Sequence, residues 1–180
     1  TPVETTEPID NSEEDEVIDP VEYLVRTPAA QLSYVGPQFN TEMEAYLVAN
    51  YDTQEILAGK NIDFKRPMAS LTKVMTGYQL MMDGIGFNKS TTYNSSIHRS
   101  SYHMYRIAEG ERVRNGDLMY AMLTSSLNTP SRMLVNSKEN QESAFIQRMN
   151  TQAQLWGLTN TRFTDTSGFD SGNQSTPRDY

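Results

Sequence analysis

The chain has 180 residues, a formal net charge of −8 and a mean hydropathy of −0.62. That length allows one domain with a core. Cysteine is absent, which excludes disulfides and thiolate chemistry, and no apolar run approaches the roughly 20 residues that span a bilayer.

The charge is concentrated at one end. Residues 1–22 carry nine acids and no base, and the remainder carries 14 acids and 15 bases. The acidic, proline-dotted head holds too little apolar surface to offset its ordering entropy, so residues 1–40 are expected to be an acidic disordered linker or tail. The first residue is Thr1, and the expectation is that any signal or anchor segment lies outside these residues. Residues 41–180 are the expected domain.

"MEAYLVANYDTQEILAGKN" reads as a hairpin, with strands near 43–50 and 55–60 joined at Tyr51–Gln54. After Pro67 the spacing becomes helical. Leu71, Val74, Met75, Tyr78, Met81 and Met82 fall on one broad face, and Gly84 and Gly86 end the run. Residues 87–114 are polar and turn-rich, with strand candidates at Thr91–Tyr93 and Arg106–Ala108. Asn115-Gly116-Asp117 then reads as a cap before the apolar helix "LMYAMLTSSL". A further helix is expected near Ser131–Asn136, and a longer one in "NQESAFIQRMNTQAQLWG", with Phe145, Ile146, Met149, Ala153 and Trp156 inward. The remainder, to Tyr180, is turn-rich. His98 and His103 lie in a polar stretch with no carboxylate at ligand spacing, so both are expected at the surface or in structural roles, and no metal site is expected.

Ser70 and Lys73 stand three residues apart where the first helix should begin. That spacing places both side chains on one side of the helix. The free N–H groups and dipole of a helix start favour an anion there. A serine hydroxyl is a poor nucleophile until a base takes its proton. Lysine serves as that base only when burial or a second cation lowers its pKa from about 10.4. Spacing alone decides little, because with this many serines and lysines chance produces such a pair about as often as not. Ser126-Leu127-Asn128 is a second candidate element: its serine could relay a proton and its amide could hold Lys73 and a substrate carbonyl. The same Ser-x-Asn pattern recurs at Ser171-Gly172-Asn173.

In combination these segments resemble the serine D-alanyl-D-alanine carboxypeptidases, the low-molecular-mass penicillin-binding proteins, whose signature set is S-x-x-K, S-x-N and K-T-G. The resemblance runs through "AYLVANYDTQEILAGKNID", "FKRPMASLTKVMTGY", "IAEGERVRNGDLMYAMLTSSLNTPS" and "MNTQAQLWGLTNTRFTDTSGFDSGNQSTPRD", in the family's order. It makes Ser126-Leu127-Asn128 the second motif and leaves Ser171-Gly172-Asn173 inside a loop. It departs from the family at Leu127, where glycine is common, at Thr129-Pro130, and at Asn173, where histidine is frequent. Neither K-T-G nor H-T-G occurs in the 180 residues, and the expectation is that the third motif lies on a strand past Tyr180.

The resemblance implies an α+β fold of the penicillin-recognising type, an antiparallel sheet against a helical region with its C-terminal strands missing. It implies acyl transfer on peptidoglycan stem peptides, with Ser70 as nucleophile, Lys73 as base, Ser126 as proton relay and Asn128 holding the substrate amide. β-Lactams are the expected covalent inhibitors and no cofactor is implied. The expected location is extracytoplasmic; no nucleic-acid partner is expected, and a membrane only through a segment outside the chain. A DD-endopeptidase would use the same residues. A non-catalytic wall-binding homologue is a further alternative. A β-lactamase of the E-x-x-x-N type fits less well, because no such segment follows the second motif.

Overall fold

The computed structural model describes residues 36–137 and 141–180. Most of the expected linker therefore lies outside the described residues, and 36–40 carry no regular structure.

The first hairpin forms where it was expected. Strand β1 (Tyr46–Ala49) pairs antiparallel with β2 (Ile56–Lys60), with Tyr46 opposite Lys60 and a bulge after Val48. Asn50 closes the turn: its Oδ1 accepts the N–H groups of Asp52 and Thr53 at 2.9 and 3.0 Å. Strand β3 (Arg66–Pro67) leads through a single 3₁₀ turn (Ala69–Leu71) into helix α1 (Thr72–Met82). Strand β4 (Ser90–Thr92) falls where sequence placed it and is followed by a short helix, α2 (Ser95–His98). The other strand candidate, 106–108, carries no regular structure, and β4 pairs with β5 (Arg112–Arg114), with Thr91 opposite Val113.

Helix α3 (Asn115–Thr124) begins one residue earlier than a cap at Asn115 would allow. The Asn115 side chain points inward instead. It accepts from Thr91 Oγ1 at 2.8 Å and donates to the Gly86 carbonyl at 3.1 Å, tying α3 to the end of the preceding turn and to β4. Helix α4 (Asn128–Val135) starts three residues before the expected Ser131, and α5 spans Glu142–Leu155. The last strand, β6 (Gln174–Ser175), pairs antiparallel with β3, setting Arg66 opposite Ser175. That pairing brings the turn-rich end of the chain beside the nucleophile segment.

The core lies among α1, α3, α4 and α5. Leu118, Met122, Met133, Leu134, Phe145 and Met149 are fully or almost fully buried there. Methionine supplies much of this volume, and its unbranched thioether fits irregular gaps. Helix α1 does not bury the face its apolar spacing suggests. Leu71, Val74, Met81 and Met82 are exposed, while Thr72, Lys73, Thr76 and Gln79 are buried with Met75 and Leu80. The inward side of α1 meets backbone carbonyls of the 165–168 loop, which require hydrogen-bond donors rather than apolar groups. His98 is a structural histidine. Its Nδ1 accepts the Asn94 N–H at 3.0 Å, which leaves Nε2 to donate toward the Asn136 carbonyl at 3.3 Å.

Candidate active site

The turn before α1 sets Ser70, the candidate nucleophile. Met68 N–H donates to the Asn173 carbonyl at 3.0 Å, anchoring the segment to the far end of the chain. Ala69 follows with φ of +48°, a left-handed conformation that costs a residue with a Cβ roughly 1–2 kcal/mol. Ser70 is exposed at this bend, and Lys73, one helical turn on, is only 2% exposed. Lys73 Nζ lies 3.0 Å from Ser70 Oγ and donates to the Ser167 carbonyl at 2.7 Å. Burial pulls the Lys73 pKa down from 10.5 to about 8, against the opposing attraction of the Asp165 carboxylate. At that value an appreciable fraction of the amine is free near neutral pH, and its lone pair is within reach of the Ser70 hydroxyl.

The carbonyl that holds Lys73 belongs to a loop folded around one carboxylate. Asp165 accepts the backbone N–H groups of Ser167, Gly168, Phe169 and Asp170, together with Ser167 Oγ–H and Asn173 Nδ2. Gly168 has φ of +80°, and a Cβ there would collide with the Ala69 carbonyl. Loop and nucleophile turn are therefore in direct backbone contact. Asn173 is fully buried and accepts the Thr164 N–H at 3.0 Å. This places it in the loop scaffold, apart from the cavity beside Ser70. Sequence reasoning did not single out Asp165, Ser167 or Gly168. The available signal was the turn chemistry of "DTSGFDSGN", in which Asp, Ser, Gly and Asn crowd into nine residues.

Ser126 stands at the junction of α3 and α4 with φ of +55°. It lines, with Ser70, Lys73, Met68 and Leu123, a cavity of about 390 Å³ beside the Ser70 turn. Ser70, Lys73 and Ser126 thus meet at one opening. Asn128 does not line it. Asn128 is 4% exposed, its Nδ2 donates to the Tyr102 carbonyl at 3.0 Å, and its backbone N–H donates to the His103 carbonyl at 2.9 Å. Among the described residues no cluster of three or more His, Asp or Glu side chains is arranged to hold a metal.

The model of the D-alanyl-D-alanine carboxypeptidase family matches residues 32–180. The chain belongs to the D-alanyl-D-alanine carboxypeptidase family. The D-alanyl-D-alanine carboxypeptidase DacC of Escherichia coli is 30% identical over 164 residues, which cover 84% of this chain and 40% of DacC. A D-alanyl-D-alanine endopeptidase of Pseudomonas aeruginosa is 28% identical over 134 residues, 74% of this chain and 43% of that protein. Penicillin-binding protein D2 from Listeria monocytogenes, solved in its ampicillin-bound form, superposes with a TM-score of 0.69 at 27% identity, covering 79% of this chain and 60% of that one. The chain spans less than half the length of these two curated relatives. Its α+β architecture, helices with small antiparallel strand pairs, is that of the penicillin-binding D-alanyl-D-alanine carboxypeptidases.

Proposed function

We propose that this chain carries the nucleophile and base of a serine-type D-alanyl-D-alanine carboxypeptidase. The observation that carries the reading is the buried Lys73 amine, 3.0 Å from Ser70 Oγ and with its pKa lowered to about 8. Lys73 takes the hydroxyl proton as Ser70 Oγ attacks the carbonyl of the penultimate D-alanine in a peptidoglycan stem peptide. The negative charge that develops on the carbonyl oxygen is met by backbone N–H groups, that of Ser70 among them. The C–N bond then breaks and the terminal D-alanine leaves. Ser126, at the same opening, passes a proton to the departing amine. Water then releases the acyl group from Ser70. The resemblance assigns Asn128 to the substrate amide, but its side chain is buried against the Tyr102 carbonyl and does not line the Ser70 opening, so no step is routed through it.

β-Lactams acylate the same serine in this reading, in keeping with the ampicillin-bound relative. A substrate in the cell wall places the protein outside the cytoplasm; no helix among the described residues is long and apolar enough to cross a membrane. The head of the chain is a spacer in this scheme. The endopeptidase named among the relatives favours a second reading in which the leaving group is the amine of a cross-linked residue.

Labelled penicillin tests the proposal. Incubation with the protein is expected to add one acyl group at Ser70, Ser70→Ala to abolish it, and Lys73→Ala to slow it by orders of magnitude. Absence of label on folded, full-length protein overturns the reading. D-Alanine release from a peptide ending in D-Ala-D-Ala, set against cleavage of a cross-linked dimer, separates the two leaving groups.

A further inference from the structure

We infer that Asp165 is a positioning residue of this reaction, fixing through the loop backbone the place of the Lys73 amine. The inference rests on the functional reading above and extends it to a residue outside the signature motifs.

The argument is one of peptide geometry. A trans peptide unit is planar, with its C=O and N–H pointing in opposite directions. The unit joining Ser167 to Gly168 is held at both ends. Its N–H donates to Asp165 Oδ1 at 2.6 Å, and its carbonyl receives Lys73 Nζ at 2.7 Å. The preceding unit repeats the arrangement. The Ser167 N–H donates to Asp165 Oδ1 at 3.2 Å, while the Thr166 carbonyl accepts Thr76 Oγ1 at 2.8 Å and Ser131 Oγ at 2.7 Å. Two consecutive peptide planes are therefore stretched between one carboxylate on the outside and helices α1 and α4 on the inside. Rotating either plane to release its N–H swings its carbonyl away from the helices. Asp165 Oδ2 adds Ser167 Oγ–H at 2.9 Å, Phe169 N–H at 3.0 Å and Asp170 N–H at 3.2 Å, so both oxygens are occupied as acceptors. A neutral amide cannot replace them, because one of its two ends is a donor facing donors.

The test measures penicillin acylation at saturation, and the binding constant that precedes it, in wild type, Asp165→Asn, Lys73→Ala and the double variant. Asp165→Asn is expected to lower the acylation rate constant about 10- to 100-fold, with prior binding changed less than about threefold, because a small misplacement of a reacting group is costly while the cavity wall is untouched. A residue that acts through Lys73 has nothing left to position once the amine is gone, so the double variant should be no slower than Lys73→Ala alone. Wild-type acylation by folded Asp165→Asn, or losses that multiply in the double variant, overturn the role. Ser167→Ala covers the case in which Asp165→Asn does not fold. It removes one bond to the carboxylate and leaves the backbone in place, and is expected to slow acylation by the folded protein about fivefold while lowering the midpoint of urea unfolding. An unchanged rate in Ser167→Ala overturns the role as well. Wild-type labelling at Ser70 keeps the two readings apart: if wild type takes no label both fall, and if wild type labels faster than Lys73→Ala but no faster than Asp165→Asn only the role of Asp165 falls.

Discussion

Replacing Lys73 with methionine should change stability in a way that depends on pH. Methionine keeps the unbranched stem and removes the amine. The Lys73 pKa falls from 10.5 to about 8 on folding. At about 1.4 kcal/mol per pH unit, holding the ammonium in the folded protein at pH 7 costs roughly 3 kcal/mol. Because the folded value is the lower one, the unfolded chain binds more protons between pH 8 and 10.5. The penalty is complete below about pH 8 and is relieved as pH rises through that window. Methionine never carries it, but leaves the Ser167 carbonyl without its donor, at about 1–3 kcal/mol. The two effects nearly balance at neutral pH, so the informative quantity is how the difference between the proteins moves. Urea unfolding followed by circular dichroism, at pH 7 and again near pH 10, should show wild type gaining roughly 2–3 kcal/mol on Lys73→Met. Other groups titrate equally in both proteins and cancel. A difference constant across that range would mean that Lys73 is an ordinary solvated lysine, and the electrostatic basis for its role as base would be lost.

The same value sets the pH dependence of acylation. The rate should fall about tenfold for each pH unit below about 8 and level off above it, measured with labelled penicillin under single-turnover conditions. Thr76 and Ser131 share the Thr166 carbonyl, so Thr76→Val and Ser131→Ala should each cost about 1 kcal/mol in urea unfolding. The double variant should cost clearly more than the two together, because only then does the buried carbonyl lose every donor; strict additivity would refute the shared-acceptor account. Gly168→Ala should reduce both the melting temperature and the acylation rate, since its Cβ would occupy the space of the Ala69 carbonyl, and wild-type values for both would refute that contact. Phe145→Ala, at 2% exposure, should cost about 3–5 kcal/mol in urea unfolding with labelling of the folded fraction unchanged.

Local signals carried much of the architecture. The hairpin was legible from a β-rich run, a turn and a second apolar run, and α5 from inward positions that Phe145, Met149 and Ala153 do occupy. Helix α1 shows why the rest was not. Apolar periodicity locates the side of a helix that avoids water, but the inward side here is defined by Lys73 and Thr76 donating to loop carbonyls 94 and 90 residues away. No local pattern records that demand. The strand at 112–114 was missed for a similar reason, since "RVR" with two exposed arginines gains its strand character only from pairing with β4. Around the site, spacing made Ser70, Lys73 and Ser126 candidates, and the resemblance of the surrounding segments to a known family singled them out. Asp165 and Gly168 act through backbone geometry, which appears in sequence only as an ordinary cluster of turn residues.

The clasp between Gly168 and Ala69 has a bearing on how the chain comes to be reactive. Residues 70 and 73 are made early, and their partner carbonyl is 94 positions downstream of the lysine. Before the downstream loop arrives, Lys73 is bathed in water with a pKa near 10.4 and is protonated almost completely, so the serine beside it has no base. On the proposed reading, chemical competence is therefore conferred late, by the docking of a backbone segment, and a nascent chain that already displays the serine and lysine is inert toward any acyl donor it meets.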